Sequence, residues 1–347
     1  MGGHKRTYIF VTVAVVMLTI IVLLGVLLTG TDATPKRPKL IIDHDGGADD
    51  AMAIFMALLY EKHFDGPNVV ALTTVHGNVN EEQVFNNTQR ILDIAKRRRV
   101  PIYRGSKSAL VIDFPSDFYF GYDGLGDNET VEYKPIEARS QIAPFALIEL
   151  SKKYKGDLSI LAMGSLTNIA LTMKLDPDFI NRISQLYVAA GNIHSEEYPK
   201  PEFNAEMDVE AYRIVTTNGN PEKITIIPFS QIMNNINISV EWRLNELGSI
   251  PTEIMRAQNV FEQVSLPTSN QWVLLDPAAM AVVLNASSIV DETKYSDNSI
   301  KLCGEDRGIN TNLLTSIANA TTRVVYSVKE EPYKKFLYDI FSSELKS

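Results

Sequence analysis

Residues 40–53 read LIIDHDGGADDAMA. An apolar run ends in Asp43, and Asp45, Asp49 and Asp50 follow directly, with Gly46 and Gly47 between them. KLIID (39–43) reads as a buried strand and ADDAMAIFMALLYEK (48–62) as a helix, so the carboxylates fall on the turn that joins them. In an open parallel sheet the turn beyond a strand's carboxyl end faces the ligand crevice. Acids in the first turn of a helix are favoured by its dipole, which accounts for one or two of the four. Four together, around a double glycine that lets the backbone turn tightly, point to a hard cation held by oxygens. Ca²⁺ suits such a set better than Mg²⁺, which keeps more of its waters. An EF-hand loop is excluded: counted from Asp43, its glycine and final acid fall on Ala48 and Ile54.

The alternation continues along the chain. NVVALTTV (68–75) reads as strand, NEEQVFNNTQRILDIAKRR (80–98) as helix with Asn80 as N-cap, and PIYRG (101–105) as a short strand. Residues 142–154 read as helix, DLSILAM (157–163) as strand, SLTNIALTMK (165–174) as helix and ISQLYVAAG (183–191) as strand. MDVEAYRIVTT (207–217) reads as helix, KITIIP (223–228) as strand, and 241–285 as mainly helical. This predicts an α/β fold, an open, mostly parallel, Rossmann-like sheet with helices on both faces. Polar residues follow each strand: His76, Gly77 and Asn78; Gly164 to Asn168; Asn192, with PEFN at 201–204. The segment FPSDFYFGYDGLGDNET (114–130) reads as a long aromatic, glycine-rich loop of the kind that often carries function.

Ahead of this pattern, residues 8–28 carry no charge and are long enough to span a bilayer. They predict a transmembrane signal anchor after a tail at 1–7, then a linker at 29–38 and one domain at 39–347. That domain is expected to be extracellular or luminal on a single-pass anchor, and secreted if the segment is cleaved. Cys303 is the only cysteine, so no intrachain disulfide forms, and the formal net charge of −9 argues against nucleic acid as a partner. Five glycosylation sequons, at Asn86, Asn128, Asn237, Asn285 and Asn319, are compatible with secretion.

DHDGGADDA (43–51) resembles the first-strand motif of the inosine–uridine-preferring nucleoside hydrolase family. TTVHGN (73–78), YFGYDGLGD (119–127), LAMGSLTNIA (161–170), PEFN (201–204) and LLDPAAM (274–280) resemble its other motifs, in the family's order. The resemblance covers roughly residues 39–285. It implies hydrolysis of the N-glycosidic bond of ribonucleosides to base and ribose with a bound Ca²⁺. Carried over residue by residue, the metal ligands are Asp45, Asp50, the Met163 carbonyl and Asp276. Asp49, Asn78 and Asn204 hold the ribose hydroxyls, Glu202 holds the 5′-hydroxyl, and Asp45 takes a proton from a Ca²⁺-bound water. Homodimers or homotetramers are also implied.

Two departures stand out. Leu275 occupies the place where some members carry a histidine that protonates the leaving base, so Tyr119, Phe120, Tyr122 or Trp272 become candidates for stacking on the base. Trp272 fits plain core better. GNIHSEEYPKPEFN (191–204) lacks the family's usual spacing, which leaves Asn192 too far upstream to transfer, and His194 reads as a solvated loop residue. Asp43, His44 and His76 read as supports and Asn168 as a cap or support for the start of its helix. Two alternatives stay open: a metal-dependent phosphatase with a strand-end DxD site, and a calcium-dependent nucleoside binder without turnover.

Overall fold

The computed structural model describes residues 37–128, 133–272 and 274–346. The predicted tail, the membrane span at 8–28 and nearly all of the linker lie outside these residues. Among the described residues no helix is long and apolar enough to cross a membrane.

Among the described residues, nine strands form one sheet in the order β3-β2-β1-β4-β5-β6-β9-β7-β8. Six follow the predicted alternation: β1 Lys39–His44, β2 Asn68–Thr74, β3 Ile102–Tyr103, β4 Leu158–Ala162, β5 Gln185–Ala189 and β6 Ile224–Ile227. These pair in parallel, and β9 Thr322–Val328 extends the parallel set beyond β6. The last two, β7 Val290–Ile300 and β8 Asn310–Thr315, are antiparallel and close one edge. The predicted mostly parallel α/β sheet is therefore present, with an antiparallel margin beyond the reach of the sequence motifs.

The helices between the strands are α1 Ala48–His63, α2 Glu81–Ile94, α3 Ala143–Lys153, α4 Thr167–Leu175, α5 Phe203–Met207, α6 Val209–Thr217 and α7 Phe229–Asn235. Three more follow: α8 Glu253–Phe261, α9 Asp276–Ile289 and α10 Glu330–Ser342. Successive side chains on a strand point to opposite faces, and β1 divides its residues in that way. Leu40 and Ile42 join one core with α1, α8, α9 and α10, whereas Ile41 joins the other with α3, α4 and α6. Helix α1 is buried along almost its whole length, from Ala48 to Leu59, because α8, α9 and α10 wrap its outer side. That explains why its sequence is apolar all round rather than on one stripe.

The strand order reverses at β1: β2 and β3 lie to one side and β4 to β6 to the other. A crevice opens beyond the carboxyl ends of strands at such a switch point. The aspartate turn that follows β1 and the Met163–Gly164 turn that follows β4 meet there.

Residues 241–285, expected to be mainly helical, contain a π-helical turn (Arg243–Leu247), α8 and most of α9, separated by an irregular stretch. A buried ion pair ties that stretch down. Arg243 and Glu262 are both fully buried and meet in two hydrogen bonds of 3.0 and 3.1 Å. Glu262 also accepts from Trp272 Nε1 at 2.9 Å and Gln258 Nε2 at 2.6 Å, and Gln258 donates to the Ala48 carbonyl at 2.7 Å. Trp272 is thus core, as its sequence context suggested. Arg243→Met is expected to destabilise the fold by about 3–5 kcal/mol, because it strands a buried carboxylate. Urea unfolding reads this directly, and a change under about 1 kcal/mol would show that Glu262 has other compensation.

Candidate functional site

Each element delivers its residues at the crevice through the turn that ends it. After β1, Gly46 takes a positive φ of 80°, and α1 begins at Ala48. Asp50 then reaches back over the turn: its carboxylate accepts from Gly47 N at 2.7 Å and Asp45 N at 3.2 Å. Asp50 N in turn donates to Asp49 Oδ1 at 3.1 Å. Capping therefore explains part of Asp49 and Asp50, as the helix dipole suggests.

After β2, Asn78 grips Asp45, its N–H donating to Oδ2 at 2.9 Å and its Nδ2 to Oδ1 at 2.8 Å. The same Nδ2 reaches Asp50 at 3.3 Å. Gly77 is dictated by this contact, since a Cβ there would sit 1.9 Å from Asp45 Oδ2. After β5, Glu202 caps α5. It accepts from Gly191 N at 2.6 Å, Ala205 N at 3.0 Å and Asn204 N at 3.1 Å. Asn204 donates to the Met163 carbonyl at 3.1 Å and the Ala189 carbonyl at 2.9 Å, joining the ends of β4 and β5. Asp276 opens α9 from the opposite side, ahead of a proline at the next position.

These pieces enclose a cleft of about 200 Å³, lined by Asp49, Asn78, Met163, Glu202, Asn204, Leu275 and Asp276 among others. Tyr119 and Phe120 form an aromatic wall, edge to face at 4.8 Å between ring centroids. Asp45 and Asp50 are fully buried beside that lining. Besides the core residue Trp272, one sequence-predicted site residue, Tyr122, stays away from the lining. It is 78% exposed and lies against Phe118, because Gly121, at φ 95°, turns the loop outward after Phe120. Three lining residues were not anticipated: Asp117, Phe203 and Phe229. Phe203 sits inside PEFN, and Phe229 directly follows the Pro228 that ends the predicted strand KITIIP, so the strand-end rule could have found both. Asp117 belongs to the loop singled out at 114–130.

The supporting residues hold the strand ends together. Asp43 accepts from Asn168 Nδ2 at 2.8 Å and Thr73 Oγ1 at 2.5 Å. Asn168 does not cap α4, whose start at Thr167 carries no side-chain cap; it supports that start by tying the strand ends. It also donates to the Thr74 carbonyl at 2.9 Å, and Ser106 N donates to it at 2.9 Å. The His76 ring lies 3.1 Å from Thr167 Oγ1 and the His44 ring 3.2 Å from Thr88 Oγ1. His194 is exposed.

The donor set fits a hard divalent cation. Asp49, Asp50 and Asp276 each offer a carboxylate oxygen, all within 4.8 Å of one another. Asp50 is within hydrogen-bonding reach of both Asp45 and Asp276. Among the described residues that line the cleft, none is a lysine or arginine. Asp49 thus joins the oxygen cluster geometrically, while Asp45, named from the resemblance as a ligand, has both oxygens engaged by Asn78.

Burial, reinforced by neighbouring carboxylates, pushes Asp45 up to about 6, Asp43 up to about 7 and Asp49 up to about 8. It also holds Asp50 and Asp276 well above the usual carboxylate range. Burial pushes the His44 imidazole down to about 3. The signs oppose each other. An acid whose pKa rises on folding stabilises the native state while protonated, and that contribution is lost as pH climbs through the raised value. A histidine buried neutral costs stability only below its unfolded value of 6.5. Between pH 6.5 and 8 the carboxylates act alone, so the cation-free protein is expected to lose several degrees of Tm over that interval. Calorimetry in chelator reads the slope, and a saturating divalent cation should flatten it. A flat profile in chelator would contradict the clustering of charge.

A doubly wound α/β sheet with a carboxylate-lined cleft at its switch point defines a class: small-molecule enzymes and binders built around a strand-end cation site. The chain belongs to the inosine-uridine preferring nucleoside hydrolase family, whose sequence model matches residues 40–335. The match runs past the last motif read from the sequence and takes in β7, β8, β9 and the start of α10. The chain is 36% identical over 194 residues to the probable uridine nucleosidase 2 of Arabidopsis thaliana, covering 54% of this chain and 58% of that protein. It is 34% identical over 221 residues to uridine nucleosidase 1 of the same plant, covering 62% and 61%. The chain therefore spans about three fifths of the length of these relatives. A solved plant nucleoside hydrolase superposes with a TM-score of 0.77 at 26% identity, covering 88% of this chain and 99% of that one.

Proposed function

We propose that this protein hydrolyses the N-glycosidic bond of ribonucleosides, releasing base and ribose, with Ca²⁺ as its cation. The observation that carries the reading is the composition of the cleft. Carboxylates and amides crowd one part of it, aromatic rings line another, and no cationic side chain is present among its described lining residues. Such a cleft suits a neutral ligand with hydroxyls at one end and a flat ring at the other. It disfavours a phosphoryl group, which calls for arginine or lysine, and so speaks against the phosphatase alternative.

Asp45, Asp50, Asp276 and the Met163 carbonyl would hold the cation. When bound, it supplies a positive charge that anchors the ribose diol and acidifies a nearby water. The chain's own residues supply the rest. Asp49, Asn78 and Asn204 orient the ribose hydroxyls, and Glu202 faces the 5′ end. Asp45, pinned by Asn78 through both oxygens, accepts the proton of the attacking water. The surrounding carboxylates stabilise the positive charge that develops on the ribose ring as the bond to the base breaks. With Leu275 where some members carry a histidine, Tyr119 and Phe120 hold the departing base by ring contact.

Assay of free base and reducing sugar from a panel of purine and pyrimidine nucleosides tests the reading. Release from ribonucleosides and weak release from 2′-deoxynucleosides is the expected pattern. Phosphate release from p-nitrophenyl phosphate without ribose release would overturn it, and nucleoside binding without turnover would favour a binder. The domain is further proposed to lie outside the cytoplasm on the anchor at 8–28, which protease protection of sealed membranes would check.

A further inference from the structure

We infer that the cleft continues beyond Glu202 into a second, apolar subsite, and that this subsite takes the substituent of a ribonucleoside bearing a thioether at its 5′ carbon. The inference rests on the proposed hydrolase reading, which turns the 5′ end of the ribose toward Glu202. The cleft itself is small, about 200 Å³. Next to it lies a hollow of about 440 Å³ that shares three of its residues, Glu202, Phe203 and Phe229. On this inference the two spaces are continuous past the shared residues, and a ligand seated in the first extends into the second.

The chemistry of the hollow selects what enters. Beyond the shared wall it is built by Tyr198, Pro199 and Pro201, from the segment that departs from the family's spacing. Tyr198 stands edge to face on Phe229, with ring centroids 6.3 Å apart. Its charged lining residues besides Glu202 are Glu197 and Lys200, one of each sign and both exposed. A 5′-phosphate would meet the Glu202 carboxylate with no net cationic partner. An alkylthio group meets aromatic rings and prolines instead, and sulfur–aromatic contact is favourable. Losing the 5′-hydroxyl leaves no stranded charge, because three backbone N–H groups already hold the Glu202 carboxylate.

The test compares kcat/KM for four derivatives of the base cleaved fastest: the ribonucleoside, its 5′-deoxy form, its 5′-deoxy-5′-butylthio form and its 5′-monophosphate. Each buried methylene is worth roughly a fourfold gain, so the butylthio compound should exceed the 5′-deoxy compound by at least about tenfold. Tyr198→Ala should erase that gain and leave the ribonucleoside rate within about twofold of wild type. Equal rates for the 5′-deoxy and butylthio compounds would overturn the subsite. So would a gain that survives Tyr198→Ala, or a monophosphate cleaved as fast as the butylthio compound. If the ribonucleoside itself releases no base, the hydrolase reading falls first and the subsite falls with it.

Discussion

Asp50→Asn is expected to lower kcat/KM for a ribonucleoside by about 10³-fold, roughly 4 kcal/mol of transition-state stabilisation, while raising the Tm of the cation-free protein. The two effects have one cause. Asp50 sits between Asp45 and Asp276 and beside Asp49, fully buried, where its charge is repelled from every side. An amide with its oxygen toward Gly47 keeps the 2.7 Å bond of the turn and gives up only the longer, 3.2 Å bond from Asp45 N, so the turn survives. It removes one charge from a crowded cluster, which relieves the empty fold, and removes a ligand from the proposed cation site, which would disable the loaded one. Had Asp50 served only as a cap, the substitution would cost a little stability and leave activity nearly intact. Activity within tenfold of wild type, with a lowered Tm, would therefore assign it to the turn alone.

The second large effect is expected at Asp45. Asp45→Asn should lower kcat by about 10² to 10⁴-fold, the range typical of a lost general base, with KM changed by no more than a few fold. Asp45 is fully buried beside the cleft lining, and both of its carboxylate oxygens accept from Asn78. A loss confined to kcat is the mark of an interaction made only in the transition state. A rise in KM with kcat preserved would make Asp45 a binding residue and require another base.

Much of this site is written in the turns. Gly77 tolerates no side chain because Asp45 is packed against it, and Gly164 is pressed in the same way, with a Cβ placed 2.8 Å from Asp45 Cβ. Those constraints act between neighbouring strand ends, so they leave short, readable marks such as VHGN and AMGS. The division of labour among the aspartates is less legible. Whether Asp45 or Asp49 joins the oxygen cluster depends on where Asn78 points, and Asn78 lies in the turn after a different strand. Tyr122 and Phe120 look alike in sequence, yet one residue with positive φ sends the former outward. The edge at β7 and β8 escaped for a different reason. VDETKYSDNSI is mostly polar, exposed at Asp291, Glu292, Thr293 and Asp297, so it lacks the apolar run that marks the central strands. Residues 290–346 nonetheless matter to the site, since Asn310 Oδ1 accepts from Asn192 N at 2.9 Å, next to the Gly191 that holds Glu202.

The central claim is that these carboxylates hold one divalent cation on which base release depends. Protein stripped with chelator and titrated calorimetrically with Ca²⁺ tests it most directly, with base release followed on the same samples. The account predicts one cation per chain, no release from a ribonucleoside until the cation is restored, and no binding by Asp50→Asn. Undiminished release in chelator, or wild-type affinity in the Asp50 variant, would contradict it.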